Sequence, residues 1–332
     1  MSINWQLTLP LEQRQAVASV GLAGLMTMAK LDGTPSPRAL AAIRGVRDHL
    51  LQVELKLTDL PTLTAAELNT KLRAIDDNPQ WRERILRGMT LVALFEGEPG
   101  EAQLELLQQT AHAFGVSGKP VNVYRQLLQH KLTMLRLDIL RRSFIKEAAL
   151  TTLQQEGLPA VLATAKALLG QEDQAMADRH RALIDYPSGS FGKAYADFIR
   201  RNRFSFPGEA GGAPPLIHHD CCHVLGGYGT TAAEEGAVVG FQAGFERLDP
   251  FDVLMFVIAE FELGVTTSPL VAGQQHQLDP ERIFAGISHG MTVNTDLLSA
   301  INPWDYFAFP LTEVRERFNI QPRGRQPEYP ND

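Results

Sequence analysis

The sequence holds only two cysteines, Cys221 and Cys222, and they are neighbours. Adjacent cysteines cannot reach ordinary disulfide geometry without backbone strain. That excludes a disulfide framework and suits a reducing compartment. Basic residues are not in excess either: 31 Lys and Arg stand against 38 Asp and Glu, a net charge of −7. There is no basic stripe interleaved with aromatics, so nucleic acid is not expected as a partner. No apolar run approaches the roughly 20 residues that a bilayer demands. The most apolar stretch, Phe251 to Val265, is broken by Asp252, Glu260 and Glu262. The opening MSINWQLTLPLEQRQ lacks the basic region and apolar run of a signal peptide, and it lacks the Arg-rich character of a transit peptide. These absences lead to the expectation of a cytoplasmic chain, neither secreted nor membrane-spanning.

Alternating strand patterns are scarce as well. Apolar residues instead recur at three- and four-residue spacing in Leu11 to Ala29, Pro37 to Leu51, Ala65 to Ile75, Trp81 to Phe95 and Glu101 to Phe114. Thr64, followed three residues later by Glu67, predicts a capping box. The expected fold class is all-α, with 44% hydrophobic residues providing ample core for 332 residues.

The first third contains an approximate internal repeat. Leu31-Asp32-Gly33-Thr34-Pro35-Ser36-Pro37 and Phe95-Glu96-Gly97-Glu98-Pro99-Gly100-Glu101 each join one apolar helix to the next through an acid-glycine turn. This arrangement, closed by Ala111-His112-Ala113-Phe114-Gly115-Val116, resembles the TerB-like domains of tellurite-resistance proteins. The resemblance implies a helical bundle over residues 1–118 and a cation site at the acidic turns, where Asp32 and Glu96 match. Without the resemblance, the same two acids serve as turn residues near helix N-termini. Residues 119–180 are expected to form connecting helices, with an apolar stripe at Leu127, Leu128, Leu132, Leu135, Ile139 and Leu140.

The residues richest in chemistry lie further on, in a domain expected over residues 181–325. His219-Asp220-Cys221-Cys222-His223 is followed by glycines at 226, 227 and 229 and then by Glu235. At about 100° per residue, His219, His223 and Asp220 fall at about 0°, 40° and 100° of one helical face. Two imidazoles and a carboxylate suit a first-row divalent ion. The glycines can end that helix and Thr230 or Thr231 can start another, bringing Glu235 back toward the ion. Four protein ligands would close a tetrahedral site, whereas catalytic sites keep a place open. Cys221 and Cys222 project at about 200° and 300°, away from the histidines, and are expected to be packed. His218 is a secondary candidate, as a second donor or general base.

His219-Asp220-x-x-His223, eleven residues and then Glu235 resembles the signature of the coenzyme Q biosynthesis protein 4 family, the Coq4-like proteins. Upstream Pro187-Ser188-Gly189-Ser190-Phe191-Gly192 and Tyr195, and downstream Gly290 and NPWDYFAFPLTEVRERFNI, extend the resemblance over about residues 181–321. His289 stands outside the family pattern and is a further secondary candidate. The resemblance implies a divalent ion, zinc first and iron or manganese next, held by His219, Asp220, His223 and Glu235 beside an apolar cavity. Phe251 to Ile258 is a candidate lining for that cavity, or ordinary core. It also implies a prenylated quinone precursor as ligand, other quinone-biosynthesis proteins as partners and peripheral contact with a membrane; a homo-oligomer is expected apart from the resemblance. The expected role is oxidative removal of a ring carboxylate, or non-catalytic presentation of the lipid to other enzymes. A metal-dependent phosphohydrolase with a His-Asp doublet is the alternative from another class, and it would need His180 with Asp249 or Asp296.

Overall fold

A computed structural model describes residues 11–129, 171–210, 212, 214–245, 250–265, 274–321 and 323. The described residues are helical without a strand, as an all-α fold requires. Six helices build the first part: α1 (Leu11–Ala29), α2 (Pro37–Gly45), α3 (Ala65–Ile75), α4 (Pro79–Glu96), α5 (Glu101–Phe114) and α6 (Lys119–Leu128). Their starts obey side-chain chemistry. Thr64 and Glu67 form the expected capping box, with Thr64 N–H donating to Glu67 Oε2 at 2.8 Å. Ser36 and Asn78 accept from the first turns of α2 and α4, each of which has proline at its start. The apolar run expected to continue α2 to Leu51 does so by widening into a π-helical turn over Val46–Leu51.

The sequence repeat is visible as reciprocal bracing. Glu96, in the second turn, accepts from Ser36 N–H at 2.9 Å and Ser36 Oγ at 3.2 Å, in the first turn. Asp32, in the first turn, accepts from the amide of Gln103 on α5. Each candidate cation ligand is thus engaged by a protein donor from the opposite half of the repeat. Gly33 and Gly97 both have positive φ, 119° and 149°, which a side chain would strain.

The later helices are α7 (Gln174–Arg181), α8 (Phe191–Arg201), α9 (Ile217–Gly226), α10 (Ala232–Phe245), α11 (Pro250–Phe261), α12 (Pro280–Gly290) and α13 (Leu311–Arg317). Residues 130–170, and with them the stripe from Leu132 to Leu140, lie outside the described residues; Leu127 is buried. Two cores run through the described residues. One joins α1–α6 to Val239, Ala243, Leu254, Met255, Ile283, Phe284 and Ile287. The other holds Tyr195, Phe198, Cys222, Leu225, Val238, Phe241 and Phe307. Helix α10 is the wall they share. The first core therefore spans α1–α6 and the later helices together. Arg38 of α2 adds an ion pair to buried Glu262 and donates to Leu278 O at 2.7 Å. Phe251, Leu254, Met255, Val257 and Ile258 of α11 are all buried in this first core. Among the described residues no helix is long and apolar enough to cross a membrane.

Among the described residues, α10 and α12 form the most extensive helix pair. Gly236, Gly240 and Gly244 recur every fourth residue on α10; Gly240 faces the backbone of Ile283 and Gly244 that of Ile287 and Gly290 on α12, while Gly286 and Gly290 of α12 face the backbone of Ala237, Phe241 and Gly244. A Cβ on Gly240 would lie 2.3 Å from Ile283 O, and one on Gly290 would lie 1.9 Å from Phe241 O. The two backbones touch because no side chain separates them, the same logic as small-residue helix crossings in membranes.

Candidate metal centre

Helix α9 presents the two histidines and α10 presents the carboxylate. The turn between them follows from glycine: Gly227 adopts φ 77°, and its N–H and that of Tyr228 both donate to His223 O, at 2.8 and 2.9 Å. This closes α9 with the left-handed cap that glycine favours. Helix α10 then begins at Thr231, whose Oγ1 accepts from Glu234 N–H at 3.4 Å and whose carbonyl accepts from Glu235 N–H at 2.8 Å. Glu234 pins this start: it accepts from Gly229 N–H, from Arg282 and from Arg323 at 3.0, 2.8 and 2.8 Å. At the other end, Arg315 donates to Leu225 O and Val224 O, both at 2.9 Å. It thereby satisfies two of the terminal carbonyls of α9.

His219, His223 and Glu235 converge. The two Nε2 atoms lie 3.1 Å apart, and the carboxylate gives one oxygen to each ring, 3.3 Å from His219 and 3.5 Å from His223. Donors at about 2.0–2.1 Å from a tetrahedral ion stand about 3.3 Å from one another. The observed edges bracket that value, so these three residues can hold a divalent ion. Three protein ligands also leave a fourth position, the pattern of catalytic rather than structural zinc sites.

Protons show the same fit. Burial disfavours charge on His219, but the Glu235 hydrogen bond and charge, with Asp220 and Gln242, hold its pKa above the ordinary imidazole value. Burial likewise works against ionised Glu235, yet the two histidines hold its pKa far below the usual carboxylate range. Without an ion, a proton shared among these groups neutralises the carboxylate; an ion binds by displacing it.

Asp220, the fourth expected ligand, is not in the converging group. It sits about 100° around α9 from His219, and among the described residues its carboxylate takes no hydrogen bond. Burial pushes its pKa up to about 6, while His219 and His223 pull it down and Glu235 pushes it further up. It is therefore a half-buried acid beside the triad, with a pKa suited to proton exchange near neutrality. The thiols stay out of the site as their angles imply. Cys221 and Cys222 are both buried and free, and burial raises both pKa values, that of Cys222 to about 12. His218 turns away to Leu297 O at 3.2 Å, and burial lowers its pKa. His289 is also occupied: its Nε2–H donates to Gln321 O and its Nδ1 accepts from Tyr228 Oη, both at 2.8 Å. His180 is held by Met176 O at 2.9 Å and packs edge-on against Trp304. Asp296 accepts from Leu298 and Ser299 N–H. Asp249 lies outside the described residues.

Two site residues escaped sequence reasoning. Phe198 of α8 stacks on the His223 ring, with centroids 5.2 Å apart. Gln242, fully buried, places its amide nitrogen 3.0 Å from His219 Nδ1. Its signal was available: it lies seven residues after Glu235, two turns along the same face. An amide can donate to Nδ1 or, turned over, accept from it. Gln242 can therefore orient the ring whether Nε2 carries a proton or a metal. Replacing a partner of this kind typically costs 10- to 100-fold in metal affinity. Gln242→Leu is expected to show such a loss in a chelator competition, with Gln242→Glu retaining affinity.

The chain matches no protein-family model and no curated protein.

Proposed function

We propose that this chain is a Coq4-like divalent-metal protein of prenyl-quinone biosynthesis, which binds a polyprenylated ring lipid and removes the ring carboxylate with an external oxidant. The observation that carries this reading is the convergence of His219, His223 and Glu235 with one coordination position to spare. His219, His223 and Glu235 would hold the ion, zinc first by its ligand set. A bound divalent ion supplies a Lewis acid for a ring carboxylate or oxygen.

The chain's own residues do the remainder. Gln242 fixes the His219 ring, and Phe198 fixes His223. Asp220, ionised above about pH 6 and close to the triad, accepts and returns a proton at the reacting ring. The expected consequence is an acid limb near pH 6 in the rate profile that disappears in Asp220→Asn, with metal content retained.

The test uses the purified full chain. An organic extract analysed by mass spectrometry is expected to contain a prenylated lipid, and incubation with a prenylated, carboxylated ring and dioxygen is expected to release carbon dioxide. Lipid without turnover would favour presentation to other enzymes. Neither lipid nor turnover would reject the assignment. Phosphatase activity lost in Asp220→Asn but kept in His223→Ala would favour the His-Asp phosphohydrolase.

A further inference from the structure

Glu235 stands on the first turn of α10, the part of a helix whose backbone N–H groups lack helical partners and which frays most readily. The cap there is weak by itself, since Thr231 Oγ1 and Glu234 N are 3.4 Å apart. What holds the turn is the side chain of the neighbouring Glu234, and much of its grip comes from far along the chain. Arg323 Nη1 donates to Glu234 Oε2 at 2.8 Å and to Gly227 O at 3.2 Å, and its Nη2 reaches Glu234 Oε1 at 3.4 Å. One guanidinium thus ties the cap of α9 to the start of α10, the two helices that carry the histidines and the carboxylate.

The segment after α13 that delivers Arg323 is itself seated. Phe318 and Ile320 are buried, and Asn319, left-handed at φ 53°, donates from Nδ2 to Thr292 O at 2.6 Å. Gln321 O accepts from His289, whose other ring nitrogen accepts from Tyr228 Oη, both at 2.8 Å. The Tyr228 ring is in turn covered by the Arg323 guanidinium, 4.1 Å from its centroid. These contacts form a closed circuit from Gln321 through His289 and Tyr228 to Arg323.

We infer that Arg323 is a positioning residue for the metal centre: acting through Glu234, it holds Glu235 where that carboxylate can share an ion with His219 and His223. The inference rests on the metal reading proposed above and adds control of that site by the segment after α13. Charge alone would act in the opposite sense. A guanidinium near a divalent ion repels it, so removing Arg323 would tighten metal binding if its charge were its only influence. Its planar fork instead meets both oxygens of Glu234 while its face lies on Tyr228, the geometry of a residue that fixes its neighbours. Arg282 of α12 completes the clamp on Glu234 Oε1 at 2.8 Å.

The experiment measures zinc affinity of the full chain by chelator competition, together with the visible absorption of the cobalt(II)-loaded protein, which reports the number and arrangement of ligands. Arg323→Gln is expected to bind zinc about ten-fold more weakly, the lower end of what loss of an outer partner costs. Its cobalt bands, per bound ion, are expected to weaken as water replaces Glu235 and the coordination number rises, a change that lost stability alone would not produce. In a Glu234→Ala background the same substitution is expected to cost less than about two-fold, because the two residues act in series. Three results would overturn the inference while leaving the metal centre in place: equal or tighter zinc binding by Arg323→Gln, an unaltered cobalt spectrum, or the whole loss persisting without Glu234. A wild-type chain that takes up neither ion would overturn the metal centre as well.

Discussion

Gly290→Ala is expected to lower stability by about 3 kcal/mol or more, which in a protein of this size lowers the thermal midpoint by roughly 4 °C or more. The added Cβ would lie 1.9 Å from Phe241 O and 2.9 Å from its carbonyl carbon, and backbone cannot rotate aside as a side chain can. Relief requires α10 and α12 to separate along their shared seam. Gly240→Ala meets Ile283 O in the same way and is expected to behave alike. Gly118→Ala is the control. Its φ is −76° and nothing stands within 4 Å of the new methyl, so its effect should stay within about 0.5 kcal/mol. Because Glu235 opens the helix that would be displaced, the Gly290→Ala protein is also expected to bind metal more weakly. Thermal scans of the three variants with and without added zinc check both points.

Glu235→Gln should have the larger functional effect. The substitution keeps the shape but removes the charge that both histidines face. Loss of an outer partner alone costs 10- to 100-fold in metal affinity, so loss of this ligand is expected to cost at least about 100-fold. The sign of the pH dependence follows from the proton that an ion must displace. His219 has a raised pKa, so it stays protonated to a higher pH than a free imidazole. Apparent affinity should therefore fall about ten-fold per pH unit below that pKa and level off above it. In Glu235→Gln the largest influence favouring that proton is gone, and the break in the curve should move to lower pH. Calorimetric titrations of zinc across a pH series measure both the affinities and the proton released.

Much of the architecture was legible because helices announce themselves through a 3.6-residue period and local caps. The box at Thr64 and Glu67, the turn at Gly227 and the start of α10 at Thr231 all depend on neighbours in sequence. The convergence of His219, His223 and Glu235 was legible for the same reason, since one glycine-rich turn connects two short helices. What sequence spacing could not provide was reach. Angular position put Asp220 on the histidine face, but whether its short side chain joins the triangle depends on a distance that no periodicity encodes. The glycines of α10 and α12 were visible at four-residue spacing, yet their meaning depends on which helix lies opposite. The same holds for the core shared by α2 and α12, where Phe284 packs within 3 Å of where a Gly45 side chain would begin. Gln242 was missed because an amide reads as neutral until its partner nitrogen is known.

The most direct measurement is the metal content of the purified full chain beside its His219→Ala/His223→Ala variant, by elemental analysis after exhaustive dialysis. The account predicts about one equivalent of a divalent transition metal in the wild type and none in the variant, with both proteins folded by circular dichroism. Equal, substoichiometric metal in the two would contradict it.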